Sequence, residues 1–96
     1  MNGSRPRGSR EFTDDDLDYL YIIVPTDDGD NTELLTARQM NDRQFREWIV
    51  AKGEMHGVQI LPTFGRLGME TRLALVNRLI RNGVHIHLAP REHLNA

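Results

Sequence analysis

His85 and His87 stand two apart in the stretch NGVHIHLAP, residues 82–90. Side chains two apart in a strand share a face, so these imidazoles would sit side by side. Such a pair can reach one metal ion, but a zinc site asks for a third or fourth ligand. His56, His93 and nearby carboxylates are the candidates, and nothing in their spacing marks them as a set. The same face can instead serve recognition. With Gln59, Tyr19 and Tyr21 beside the histidines it offers amphipathic and hydrogen-bonding groups, which tolerate water when free and bury well when covered. A partner protein, a second copy of the chain, or unpaired bases stacked on the rings would each fit it. The bland alternative is a solvated face, although such faces more often carry Lys and Glu than Tyr.

The stretch PTFGRLG, residues 62–68, is a second candidate. It lies between an expected strand and an expected helix, where α/β units gather anions on free helix N–H groups. Gly65 and Gly68 permit close backbone approach, while Thr63 and Arg66 supply a hydroxyl and a charge. The loop lacks the Lys-Ser/Thr ending of a phosphate-binding Walker loop. Its Gly-x-x-Gly spacing also occurs in KH domains, but there the loop joins two helices, so the spacing assigns no family. Two glycines that simply permit a turn explain it as well. Arg72, one turn into the following helix, is placed to reach an anion at this loop, or to snorkel or pair with a carboxylate at the edge of the apolar stripe.

The acidic loop TDDGDN, residues 26–31, resembles a calcium loop only superficially. Counted from Asp27 its glycine is third, whereas an EF-hand needs Gly at six and a bidentate Glu at twelve. Cysteine is absent, which excludes disulfides, thiol nucleophiles and thiolate metal sites. Neither H-E-x-x-H nor G-x-S-x-G occurs, and no nucleophile, base and orienting group assemble from Thr63, four histidines and scattered carboxylates. No catalytic function, metal or cofactor is therefore expected.

The 96 residues, with 39% hydrophobic content, make one small domain. No apolar run approaches the roughly 20 residues of a bilayer span, and the charged start has no signal core, so a cytoplasmic, membrane-free protein is the expectation. The net charge of −2 argues against a strongly basic nucleic-acid binder. That total hides a division. Residues 13–31 hold seven aspartates and no cation, whereas residues 32–96 hold nine basic and six acidic side chains. Arg dominates the cations, Lys52 being the single Lys; this suits planar contacts to carboxylate or phosphate, and base composition of the genome accounts for it equally well.

Residues 1–15 have almost nothing to bury and read as a flexible arm, with a composition also typical of an appended vector leader. Residues 16–96 then form the domain. LDYLYIIVP (17–25) reads as an interior strand, apolar on both faces, joined through TDDGDN to a weaker strand, TELLTA (32–37). MNDRQFREWIVAKG predicts a helix with Asn41 as N-cap, Gln44 closing a capping box, Met40 stapled to Phe45 and Gly53 as its stop. Phe45, Trp48 and Ile49 share its buried stripe, which makes Trp48 a core residue rather than a stacking platform.

GVQILP (57–62) predicts a third strand, residues 69–82 a second helix on Met69, Leu73, Val76 and Ile80, and VHIHL (84–88) a fourth strand. The order β-β-α-β-α-β predicts an α/β two-layer sandwich, with a mixed four-stranded sheet carrying two helices on one face. His85 and His87 would then look out from the open face. The expected function is a small, non-enzymatic regulatory module binding another protein, or itself as a homodimer, through that face or an edge strand. The alternatives are a nucleic-acid accessory protein using the Gly-Arg loop and the Tyr/His face, and a His-x-His metal-dependent activity.

Overall fold

The computed structural model describes residues 11–26, 28–62 and 65–88. A 3₁₀ turn, Asp14–Asp18, leads into β1 (Tyr21–Pro25) and β2 (Thr32–Thr36), followed by α1 (Asp42–Met55) and α2 (Met69–Arg81). β1 and β2 pair antiparallel, with Tyr21 opposite Thr36, Ile23 opposite Leu34 and Pro25 opposite Thr32. Leu20, Ile22 and Val24 point inward and are buried. They meet Phe45 and Ile49 of α1 and Val76, Leu79 and Ile80 of α2 in one core, closed by Leu17, Ile60, Leu67, Val84 and Ile86.

The helices form where local chemistry satisfies their ends. Asn41 Oδ1 accepts the Gln44 N–H at 2.8 Å and Gln44 Oε1 accepts the Asn41 N–H at 2.9 Å, a closed capping box. Beyond Gly53 the helix runs on to Met55, so the expected stop at Gly53 is corrected by two residues. Gly57, at φ +74°, takes the left-handed conformation instead. There the N–H of Val58 reaches Gly53 O and the N–H of Gly57 reaches Glu54 O, the two bonds of a Schellman ending. The same pair closes α2: Gly83 has φ +87°, Val84 N–H reaches Leu79 O and Gly83 N–H reaches Ile80 O. Gly53 serves another need. A Cβ there would lie 2.4 Å from Val58 O, so glycine lets the chain double back against its own helix.

The four-stranded mixed sheet is overturned: among the described residues only β1 and β2 pair, as a two-stranded sheet. Residues 58–62 and 84–88 belong to no helix or strand and alternate in burial, with Ile60, Val84 and Ile86 inside, and they join no ladder. Alternation reports which face is buried, not which backbone lies alongside. The Schellman bonds and the buried side chains fix these segments without a strand partner. The parallel pair and its crossover therefore fall, and among the described residues β1 is not an interior strand but an edge, with Ile23 70% exposed.

Residues 1–10 of the expected arm lie outside the described residues. Within residues 11–15, Phe12 is buried, its N–H donating to Asn77 Oδ1 at 2.6 Å while Asn77 Nδ2 donates to Phe12 O at 3.0 Å. One buried amide side chain thus satisfies both backbone groups of Phe12 and ties them to α2.

Candidate functional site

The two sides of β1 are not alike. Ala37 N–H to Leu20 O and Thr26 N–H to Asn31 O, both 2.9 Å, bracket the hairpin, so the even-numbered residues of β1 exchange bonds with β2. In an antiparallel ladder the intervening residues direct their backbone groups away from the partner. Tyr21 and Ile23 therefore aim N–H and C=O at the far edge, where no backbone bond reaches them among the described residues. Pro25, next in that series, has no N–H to leave unpaired, a common placement for proline on an edge.

Two adjoining cavities follow this edge. One, about 300 Å³, is lined by Leu20, Tyr21, Ile22 and Ile23 with Trp48 and Lys52 of α1 and Ile86 and His87 of the C-terminal segment. The other, about 460 Å³, runs along Ile23–Thr26 against Arg43, Gln44, Glu47, Trp48 and Ala51. Ile23 and Trp48 line both, and no β2 residue lines either, so one open groove lies on the far side of β1. α1 runs opposite to β1, because the start of the strand faces the end of the helix. Trp48 is only half-buried, its ring 5.8 Å from that of Phe45. It is both a flank of the core and the middle of the groove wall.

Of the Tyr/His face, Tyr21 and His87 are brought together on this groove. His85 and Gln59 are exposed and Tyr19 is half-buried, and no hydrogen bond links these residues. Among the described residues no three His, Asp or Glu side chains converge to hold a metal ion.

The Gly-Arg loop is placed differently. Thr63 lies outside the described residues. Gly65, Arg66 and Gly68 are exposed, the Gly65 carbonyl accepts from Arg46 Nη2 at 3.1 Å, and Gly68 caps α2 without a side-chain bond. Arg72 is 4% exposed and turned to the interior. Its Nε donates to Leu67 O at 2.6 Å, Nη1 to Ala37 O and Met40 O at 2.7 Å each, and Nη2 to Asp42 Oδ1 at 3.0 Å. Its guanidinium carbon also sits 5.2 Å from the centre of the Phe45 ring. These bonds join the hairpin exit, the start of α1 and the loop before α2, so the guanidinium is committed to the fold rather than turned to an outside anion.

The acidic stretch is likewise partly answered from within. Arg38 Nε donates to Asp18 at 2.7 Å and Nη2 to Asp14 at 3.0 Å, and these carboxylates, Asp18 foremost, raise the arginine pKa further. At the hairpin tip the Thr26 hydroxyl and then the Asp30 N–H hold the Asp28 carboxyl below its ordinary range. The β1 groove was not legible as a site in the sequence. Its one signal was Tyr-Ile-Ile-Val-Pro, with apolar groups on both faces, which reads equally as an interior strand.

Comparison of the chain with family models, with curated proteins and with solved structures finds no match. No helix among the described residues is long and apolar enough to cross a membrane.

Proposed function

We propose that this chain is a non-enzymatic binding module that takes up an extended segment of another protein along the free edge of β1. The observation that carries this reading is the coincidence of a strand edge unpaired among the described residues with a partly apolar groove beside it. A strand edge offers main-chain hydrogen bonds to any extended chain, and the adjoining wall adds selectivity through alternate side chains. Ile23 and Leu34, 70% and 54% exposed and directly opposite each other, extend apolar surface onto the outer face of the hairpin. Regulation by such a module would act through occupancy of the groove.

The test is a selection from a displayed random 12-residue peptide library against the full chain, followed by amide exchange with the enriched peptides. The expected result is protection of the Tyr21 and Ile23 amides. Failure to enrich any peptide, or protection confined to other segments, would overturn the reading. So would a mixed-sequence single-stranded oligonucleotide that shifts Arg66 and Gly68 in a salt-dependent way and displaces the peptides, since that marks phosphate binding.

A further inference from the structure

Resting on the strand-addition reading, we infer that the groove selects a segment in which an apolar residue is followed two positions later by Asp or Glu. Gln44, Trp48 and Lys52 recur every four residues on the helical wall, a step of about 6 Å along the axis. Alternate side chains of an extended chain recur at about 6.7 Å. A strand laid against β1 therefore presents successive same-face side chains to Gln44, Trp48 and Lys52 in turn.

The chemistry of the wall then assigns each position. Trp48 is flanked by Ile22, Ile23 and Ile86, which calls for an apolar side chain. One turn on, Lys52 is the only Lys, Arg, Asp or Glu among the described residues lining its cavity, beside His87. No hydrogen bond or ion pair occupies Lys52 among the described residues. The opposite half carries both Arg43 and Glu47, so the demand for a negative charge is local to the Lys52 end.

Direction follows from the pairing. Antiparallel addition is the commoner and the more stable per residue. A segment antiparallel to β1 runs from the Pro25 end to the Tyr21 end, parallel to α1, and meets Trp48 before Lys52. The apolar residue thus precedes the acidic one, with a hydrogen-bonding side chain favoured two positions earlier, against Gln44. The occupant is an acidic, extended segment of a partner protein.

The experiment reads position preferences among the peptides selected by the full chain, and repeats the selection on Lys52→Glu. The expected result is enrichment of apolar-x-Asp/Glu, about three- to fivefold weaker binding of those peptides to the variant, and a switch of the variant's preference towards Lys or Arg at that position. Unchanged melting of Lys52→Glu shows that the fold is retained; a lowered melting point is met by repeating the test on Lys52→Gln. Peptides that protect Tyr21 and Ile23 but show no acidic preference, or keep it in the variant, would overturn this inference and leave the strand-addition reading standing. Absence of enriched peptides would overturn both. Tyr21 and Ile23 amides already protected in the free chain would assign the groove to this chain's own remaining segments. A concentration-dependent dimer displaced by the peptides would assign it to a second copy. Either result overturns the partner assignment.

Discussion

α1 takes part in two regions that treat polar groups in opposite ways. At its start, the Arg72 guanidinium gathers three carbonyls and the Asp42 carboxylate into a buried junction. Along its flank, Trp48 and Lys52 face a strand edge whose backbone groups have no partner among the described residues. A buried polar group left unpaired costs free energy, whereas an edge open to solvent costs little because water takes the place of a partner. The first region is therefore closed to exchange of partners and the second is not. From sequence, the arginine at the junction reads either as an anion binder at the neighbouring loop or as a side chain pairing with a carboxylate at the edge of the stripe, and the structure shows the pairing, with Asp42.

The largest expected effect breaks the closed region. Arg72→Leu removes every donor at once and leaves the Ala37, Met40 and Leu67 carbonyls and Asp42 to find water or remain unpaired. A loss of about 3 kcal/mol is expected in chemical denaturation, within the range for breaking a buried charged network. Arg72→Lys keeps the charge but not the planar fork that spans three segments, and should recover no more than about half of that loss. A loss below about 1 kcal/mol for Arg72→Leu would show that the junction is dispensable and erase the contrast.

The next effect falls on the open region and is expected to split stability from binding. Ile23→Thr keeps a β-branched side chain on an exposed strand position, so melting should change by no more than about 0.5 kcal/mol. Binding of the selected peptides should nevertheless fall, because Ile23 lines both halves of the groove. A large stability loss without a binding change would make Ile23 a structural residue covered by the protein itself.

The contrast also explains what could be read from sequence. Both helices and the hairpin were legible, because a capping box, a 3.6-residue apolar stripe and an Asp-Gly turn are each written in neighbouring residues. Strand pairing was not. Residues 58–62 and 84–88 carry the period of strands, but pairing is decided by which segments lie alongside one another, and period 2 is silent on that. The fate of Phe12 was hidden for a related reason: a lone aromatic in a polar stretch looks idle until Asn77, 65 residues away, is seen to hold it. Of the candidate site, strand alternation marks Tyr21 and His87, whereas Trp48 reads as core and nothing in the sequence marks Lys52 as part of a site. A residue on the border between two faces of a helix gives no sign of which neighbour it will meet.

The smallest effect sharpens the comparison by asking whether the open hairpin is energetically separate from the junction. Asp28 at the hairpin tip accepts from the Thr26 hydroxyl and the Asp30 N–H, both of which favour the carboxylate and lower its pKa from the ordinary 3.8. A group with a depressed folded-state pKa contributes stability above its unfolded value and loses it as the pH falls through the folded one. The tip should therefore be held at neutral pH and loosen only below about pH 3.8, as the carboxyl takes up its proton. Because Asp28 is fully exposed, this loosening should be local: amide shifts at Asp30 and Asn31 should follow the titration and the Arg72 Nε–H signal should not. Asp28→Asn should remove that acid-side transition at the tip alone. If instead the Arg72 signal moves with the same midpoint, the hairpin and the junction open together, and the groove edge is no more available than the interior.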